Sequence, residues 1–329
     1  MMKIKTLMIL LLLLAIPAHE AVGDTVDIKE WLVPWKKSAP TAAFVDAGGR
    51  VWFVGENDHY IANFSPETGE FNRYDLRKGT APTALVVDAN RTIWFSSSKR
   101  RHIGSLNPGT GRVTEFAMPD KKAKDPASIT LSPAGNIWFT VENSNFIGRL
   151  NTTNGDIDLV SLATKKVRPH GIVLAPNGDA WAAAAGQNIL LRISQQGMSI
   201  TEIRTPNEKS RFRRIVATSD NMIWYADYEL GNLGRYNPLN GEFTEWALPG
   251  GPDSRPHGMA VDKNDRIWIV ETGDEPNSLI GFDTETGSFL TQTSIPSGAG
   301  SVSQMHYHEA AGEIWFATES NYIGRAKVH

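Results

Sequence analysis

Pro126-Ala-Ser-Ile-Thr-Leu-Ser-Pro-Ala-Gly-Asn-Ile-Trp138-Phe-Thr, then Asn145-Phe-Ile-Gly-Arg-Leu150, then Asn151-Thr-Thr-Asn-Gly155-Asp-Ile-Asp-Leu-Val160, reads as four short strands separated by turns. The first runs from about Ser128 to Leu131, a Pro-Ala-Gly-Asn turn follows, and the second carries Ile-Trp-Phe. The third carries Ile-Gly-Arg-Leu, and a turn ending in glycine leads to the fourth. The tryptophan recurs at Trp52, Trp94, Trp138, Trp181, Trp224, Trp268 and Trp315, with spacings of 42, 44, 43, 43, 44 and 47 residues. A fixed period of about 43 residues means one supersecondary unit copied along the chain, each copy burying its apolar face against its neighbours.

A four-stranded unit at this period fits the blade of a β-propeller and excludes helical solenoids, whose units need apolar helical stretches that this chain lacks. The turn before the fourth strand recurs as Ser65-Pro-Glu-Thr-Gly69, Asn107-Pro-Gly-Thr-Gly111, Asn237-Pro-Leu-Asn-Gly241 and Asp283-Thr-Glu-Thr-Gly287. Proline presets such a turn and the closing glycine accepts a positive φ. The seventh copy stops after Ile323-Gly-Arg-Ala-Lys-Val-His329, without a fourth strand of its own. Val26-Asp-Ile-Lys-Glu-Trp31-Leu-Val-Pro34 copies the fourth strand of the fifth repeat, Phe243-Thr-Glu-Trp246-Ala-Leu-Pro249. The expected fold is therefore all-β, a seven-bladed propeller over residues 24–329 in which the N-terminal strand completes the last blade and leaves no free edge.

Residues 1–23 stand apart. Lys3 and Lys5 precede an apolar run from Leu7 to Ile16, and Ala21-Val22-Gly23 offers the small residues of a signal-peptidase site. That run is too short to span a bilayer, so the expectation is a signal peptide and a periplasmic or secreted protein. The 329 residues include no cysteine, which leaves core burial and blade stacking as the sources of stability. A formal net charge of -3 argues against a nucleic-acid binder, and no other stretch is apolar enough for a membrane helix. A monomer is expected.

Counting from each tryptophan locates the rim of the central channel. Eleven residues before it come Thr41, Thr83, Ala127, His170, Arg213, His257 and Gln304; thirteen before it come Ala39, Ala81, Asp125, Arg168, Arg211, Arg255 and Val302. Blades four to six thus concentrate His170, His257, Arg168, Arg211, Arg213 and Arg255 on one arc, a pattern suited to an anionic or carbonyl-rich ligand because arginine forks match carboxylate and phosphate oxygens. The bland alternative is a set of solvated rim charges. Three or four residues after the tryptophans lie Glu56, Glu142, Asp227, Glu271 and Glu319, which either bind a divalent cation and do acid–base work or pair with the arginines. Met305-His306-Tyr307-His308-Glu309 lacks the second histidine of a zinc-protease helix and reads as a strand and turn. The basic clusters Ser98-Lys-Arg-Arg-His102 and Glu208-Lys-Ser-Arg-Phe-Arg-Arg214 read as solvated loops.

Pro-His-Gly opening the first strand, Ile-Trp-Phe-Thr in the second, Asn-x-Ile-Gly-Arg in the third and Thr-Glu-x-x-x-Pro in the fourth resemble the virginiamycin B lyase (streptogramin lyase) family, over the whole of residues 24–329. The resemblance implies an enzyme that linearises cyclic depsipeptide antibiotics by elimination across an ester, with Mg2+ held by carboxylates and a histidine as general base. On it, His257 in Arg255-Pro256-His257 and Glu319 in Trp315-Phe-Ala-Thr-Glu319 match functional positions; the rim count adds Glu271 as a further candidate metal carboxylate. The family's Glu-Pro-His at the start of blade seven falls on Val302-Ser303-Gln304, which supplies neither metal ligand nor base. A small register shift would bring His306 towards the site. Two expectations stand: a metal-assisted lyase acting at the funnel mouth on a cyclic ester or related small molecule, or a non-catalytic propeller binding a small anionic ligand or an exported protein there.

Overall fold

The structure, a computed structural model, describes residues 25–298 and 300–328; the expected signal peptide lies outside the described residues. Among them, twenty-eight strands form seven four-stranded antiparallel sheets arranged in a ring. In six sheets the strands follow chain order from channel to rim, as in Pro126–Leu131, Ile137–Val141, Phe146–Leu150 and Ile157–Ser161. Proline opens the innermost strand in five blades, at Pro40, Pro82, Pro126, Pro169 and Pro256, where its missing N–H costs no ladder bond. The second strands of blades one to six are buried along their whole length because both faces meet a neighbouring blade.

The seventh sheet closes the ring as expected. Its order is Asp27–Leu32, Tyr322–Lys327, Glu313–Thr318 and Met305–His308, with Trp31 opposite Ile323. Trp31 stacks on Trp315 at 5.5 Å between centroids and meets Phe64 of blade one at 5.1 Å, so one aromatic cluster binds the first strand, the last blade and the first blade together. No described helix is long and apolar enough to cross a membrane.

All seven ruler tryptophans are buried, none more than 5% exposed. Each carries one indole N–H that burial obliges it to satisfy. Trp52, Trp94 and Trp268 donate at 2.8–2.9 Å to Asp46, Asp88 and Asp262, six residues earlier, while Trp224 uses Thr218 at 3.2 Å. The same aspartates accept backbone N–H groups of the intervening turn, as Asp46 does from Gly48 and Arg50. Blade four has Ala175 at this position, and Trp181 Nε1 has no partner. Asp46→Ala is expected to cost about 3 kcal/mol, since it orphans a buried donor and frees a turn. Ala175→Asp should instead gain about 1 kcal/mol. Denaturant unfolding of both checks the pair, and a destabilised Ala175→Asp contradicts it.

Candidate funnel site

The innermost strands break register near their start in six blades, between Pro126 and Ile129 in blade three and between Pro256 and Met259 in blade six, for example. Such a bulge bends the strand and re-aims the side chain beside it. The residues so aimed are Thr41, Thr83, Ala127, His170, Arg213 and His257, and all six line a funnel-shaped cavity of about 290 Å³ at one mouth of the channel.

Blade seven departs from the ruler by one residue. The turn from His308 to Glu313 is longer there, and Trp315 lies opposite His306, whereas Trp268 lies opposite Ala260. Glu319 N accordingly donates to Ser301 O, as Ala185 N does to Arg168 O and Tyr228 N to Arg211 O. Ser303 therefore takes the ring position expected of Gln304: it lines the cavity and its hydroxyl lies 2.7 Å from that of Thr41. Gln304 lies deeper, lines a second cavity of about 320 Å³ at the other end of the channel, and donates to Leu85 O at 3.2 Å.

His306 also lines that second cavity, three residues beyond the funnel-lining Ser303. It stacks on Phe44 at 3.9 Å and its Nδ1 accepts the Val45 N–H at 3.2 Å. Burial, with a smaller push from His308, lowers its pKa to about 4. The expected approach of His306 to His257 is not what the fold delivers.

Alternation along the second strands sorts the carboxylates. Four residues beyond the tryptophans, Glu56, Glu142 and Glu319 face the funnel. Three residues beyond, Asp227 and Glu271 face away from it. Asp227 accepts the N–H groups of Arg211, Glu229 and Leu230, and Glu271 accepts that of Gly250 at 2.9 Å. Burial raises the pKa of both. Glu271 thus caps a loop and does not share a cavity with Glu319. Within the funnel, burial raises Glu56, Lys99 opposes that rise, and Glu319 adds to it.

The basic arc is only partly as expected. Arg168 reaches the rim but is held by Glu142 at 2.6 Å. Arg211 turns onto Glu208 O and Ser210 O in a surface hollow beside Lys209, outside the funnel. Arg213 lies over the Tyr228 ring at 4.5 Å, and the exposed Arg255 lies over the same ring at 5.5 Å. His257 Nδ1 sits 2.7 Å from Ser301 Oγ, and its ring meets that of His170 at 6.1 Å between centroids. Burial, then the positive charge of Arg214 and Arg213, holds both histidines well below their usual range, so both are neutral at pH 7.

Counting at eleven and thirteen residues passes over Arg214, and the cluster that contains it is not wholly the solvated loop expected, because Phe212–Ala217 is an innermost strand and Arg214 Nε is buried. Arg214 sits ten before Trp224, where blades one to four and six carry Ala42, Ala84, Ser128, Gly171 and Gly258 and blade seven, in its shifted register, carries Gln304; the contrast with the small residues was its sequence signal. Those small residues hold the channel open. Arg214 reaches across it, lines both cavities and touches Ser128 Oγ of blade three at 3.4 Å. It forms the waist that divides one cavity from the other.

Magnesium favours six oxygen donors in octahedral array. Among the described residues no group of three or more His, Asp or Glu side chains is arranged to hold a metal ion, and Glu319 and Glu271 lie on opposite faces of the blades. The residues present do not fit the ion that the resemblance implies.

The whole ring superposes on solved lyases. Virginiamycin B lyase from Staphylococcus aureus aligns with a TM-score of 0.84 at 24% identity, over 92% of this chain and all of that one. A catalytically inactive histidine variant of that enzyme, solved with quinupristin, aligns with the same score at 25% identity and the same coverage. Hydrazine synthase of Kuenenia stuttgartiensis also shares the fold, with a TM-score of 0.74 at 14% identity, over 89% of this chain and 97% of that one. Among curated proteins none matches significantly. The model of the virginiamycin B lyase family matches residues 20–279, which takes in blades one to five and most of six and ends before the altered rim of blade seven. The chain belongs to the virginiamycin B lyase family.

Proposed function

We propose that this chain is a ligand-binding member of its family that takes a small anionic or carbonyl-rich molecule into the funnel and does not carry out metal-assisted ring opening. One observation carries the reading. With the register of blade seven corrected, the position of the family's Glu-Pro-His is occupied by Ser301-Val302-Ser303, so hydroxyls stand where the resemblance calls for a metal ligand and a base. A serine hydroxyl is neither an effective Mg2+ ligand alone nor a base near neutral pH. The funnel keeps what binding needs: about 290 Å³, at the small end of the range for ligand sites, lined by His170, His257, Arg213 and Arg214 together with Glu56, Glu142 and Glu319.

The proposal also places the protein outside the cytoplasm, on the strength of Lys3, Lys5 and the apolar run that follows them. Purified from its export compartment, the mature chain should begin at Asp24. Incubated with quinupristin and Mg2+, it should leave the ring intact by mass spectrometry. Mg2+-dependent ring opening that disappears in Glu319→Ala and His257→Ala overturns the binding reading and restores the lyase.

A further inference from the structure

The waist residue Arg214 is electrostatically unfinished. Its guanidinium carries five donors in a fixed fork. Yet Nη1 makes one long hydrogen bond, to Ser128 Oγ at 3.4 Å, and Nε is sealed from solvent with no partner. No carboxylate among the described residues lies within ion-pair distance of it; Glu142, whose charge acts on it, is already engaged by Arg168. Burial and Arg213 lower its pKa to about 10, which still leaves it charged at pH 7. Arg214 is half-buried between two cavities with its Nε sealed from solvent, and a cation so placed without a counter-charge is costly.

The groups around it are short of acceptors in the same way. His170 Nδ1 and His257 Nε2 are buried without partners, and both rings line the funnel immediately above the waist beside Arg213. Each neutral imidazole has one N–H to donate, and that of His257 is on Nε2 when Ser301 Oγ donates to Nδ1. On this wall the funnel thus offers a fork, two ring nitrogens and a second guanidinium, and no acidic side chain paired with the fork. Of the other funnel carboxylates, Glu56 stands on blade one and Glu319 on blade seven, beside Ser301 and His257; among the described residues neither forms an ion pair with Arg214.

We infer that Arg214, with His170 and His257, forms a binding subsite at the channel waist for the carboxylate of a small organic acid, the rest of which fills the funnel. A planar carboxylate matches the guanidinium fork, and a third and fourth hydrogen bond from the imidazoles would complete its acceptor positions. The inference rests on the funnel as a ligand site and adds to it the chemical class and the orientation: acid end inward, at the waist, remainder towards the mouth.

Thermal unfolding in rising sodium acetate, against sodium chloride at equal ionic strength, tests it without knowledge of the natural ligand. A ligand that binds only the folded state raises the melting midpoint as its concentration passes its Kd. The wild type should respond to acetate beyond chloride. Arg214→Met, which keeps much of the volume and removes the charge, should weaken the apparent affinity at least tenfold, a difference of about 1.4 kcal/mol or more. Arg214→Lys, keeping charge without the fork, should fall between them, and Arg211→Met, outside the funnel, should respond like wild type. Should Arg214→Met fail to fold, Arg214→Gln and His257→Gln carry the same comparison. An acetate response equal to chloride in the wild type, an undiminished response in the Arg214 variants, or stabilisation by inorganic phosphate alone overturns the subsite. Ring opening of quinupristin bears on the funnel reading, acetate on the subsite, so the two failures are distinguishable.

Discussion

Gly148→Leu is expected to destabilise the protein by about 3 kcal/mol, and Phe139→Ala in the same molecule to recover much of that loss. Phe139 and Gly148 face each other across the second and third strands of blade three, and a Cβ on Gly148 would lie 2.1 Å from the Phe139 ring. The same pairing recurs as Phe95 with Gly104, Tyr225 with Gly234 and Phe316 with Gly324. Blade four inverts it, placing Ala182 opposite Leu191. Large against none and small against large fill the same space, so the Ile-Gly-Arg motif is a packing rule before it is a family signature. Phe139→Ala alone should cost about 3–4 kcal/mol through the cavity it opens. The double variant copies blade four and should be at least 2 kcal/mol more stable than the sum of the two losses, as measured by denaturant unfolding. Strict additivity would show that the pair does not share one volume.

Acid should destabilise the fold through the half-buried histidines of the channel before the carboxylates titrate in bulk. His306 has a folded pKa of about 4 against about 6.5 unfolded, because burial opposes its charge and because its Nδ1 already accepts the Val45 N–H. The unfolded chain therefore binds the proton first as pH falls. The contribution of neutral His306 is complete above about pH 6.5 and is lost progressively down to about pH 4, a change of about 3 kcal/mol. His170 and His257, also held low, act in the same direction. Glu56, Asp227 and Glu271, pushed up by burial, act in the opposite sense as they protonate, so the total slope is a balance. Comparing wild type with His306→Gln isolates the histidine. Urea midpoints at pH 7, 5.5 and 4 should converge between the two proteins as the pH falls, and parallel curves would refute the assignment.

The architecture was legible because it is periodic. Seven tryptophans at a nearly constant spacing fix blade number, and the likeness of Val26–Pro34 to Phe243–Pro249 fixes how the ring closes, since both follow from patterns averaged over many residues. The site depends on single positions, and counting by residue fails there for physical reasons. One extra residue in the turn between His308 and Glu313 moved Ser303 to the place expected of Gln304, and left His306 at the far end of the channel. A step of one along a strand reverses the face, which separates Glu319 from Glu271 although both follow a tryptophan closely. Arg214 stood inside the basic cluster at 208–214 that reads as a solvated loop; what marks it instead is a contrast with small residues in other blades, which a charge pattern does not carry.

The strand Asp27–Leu32 is made among the first residues of the described chain, and its partner Tyr322–Lys327 among the last. Bringing them together closes a loop of nearly the whole molecule, with an entropic cost growing as the logarithm of its length, about 5 kcal/mol relative to a minimal loop. Until that pairing forms, the chain carries two open sheet edges and a Trp31 without its aromatic neighbours. Cooperativity around the ring thus hinges on one seam, where the two most distant strands in sequence cover each other's edge and lock Trp31 between the first and last blades.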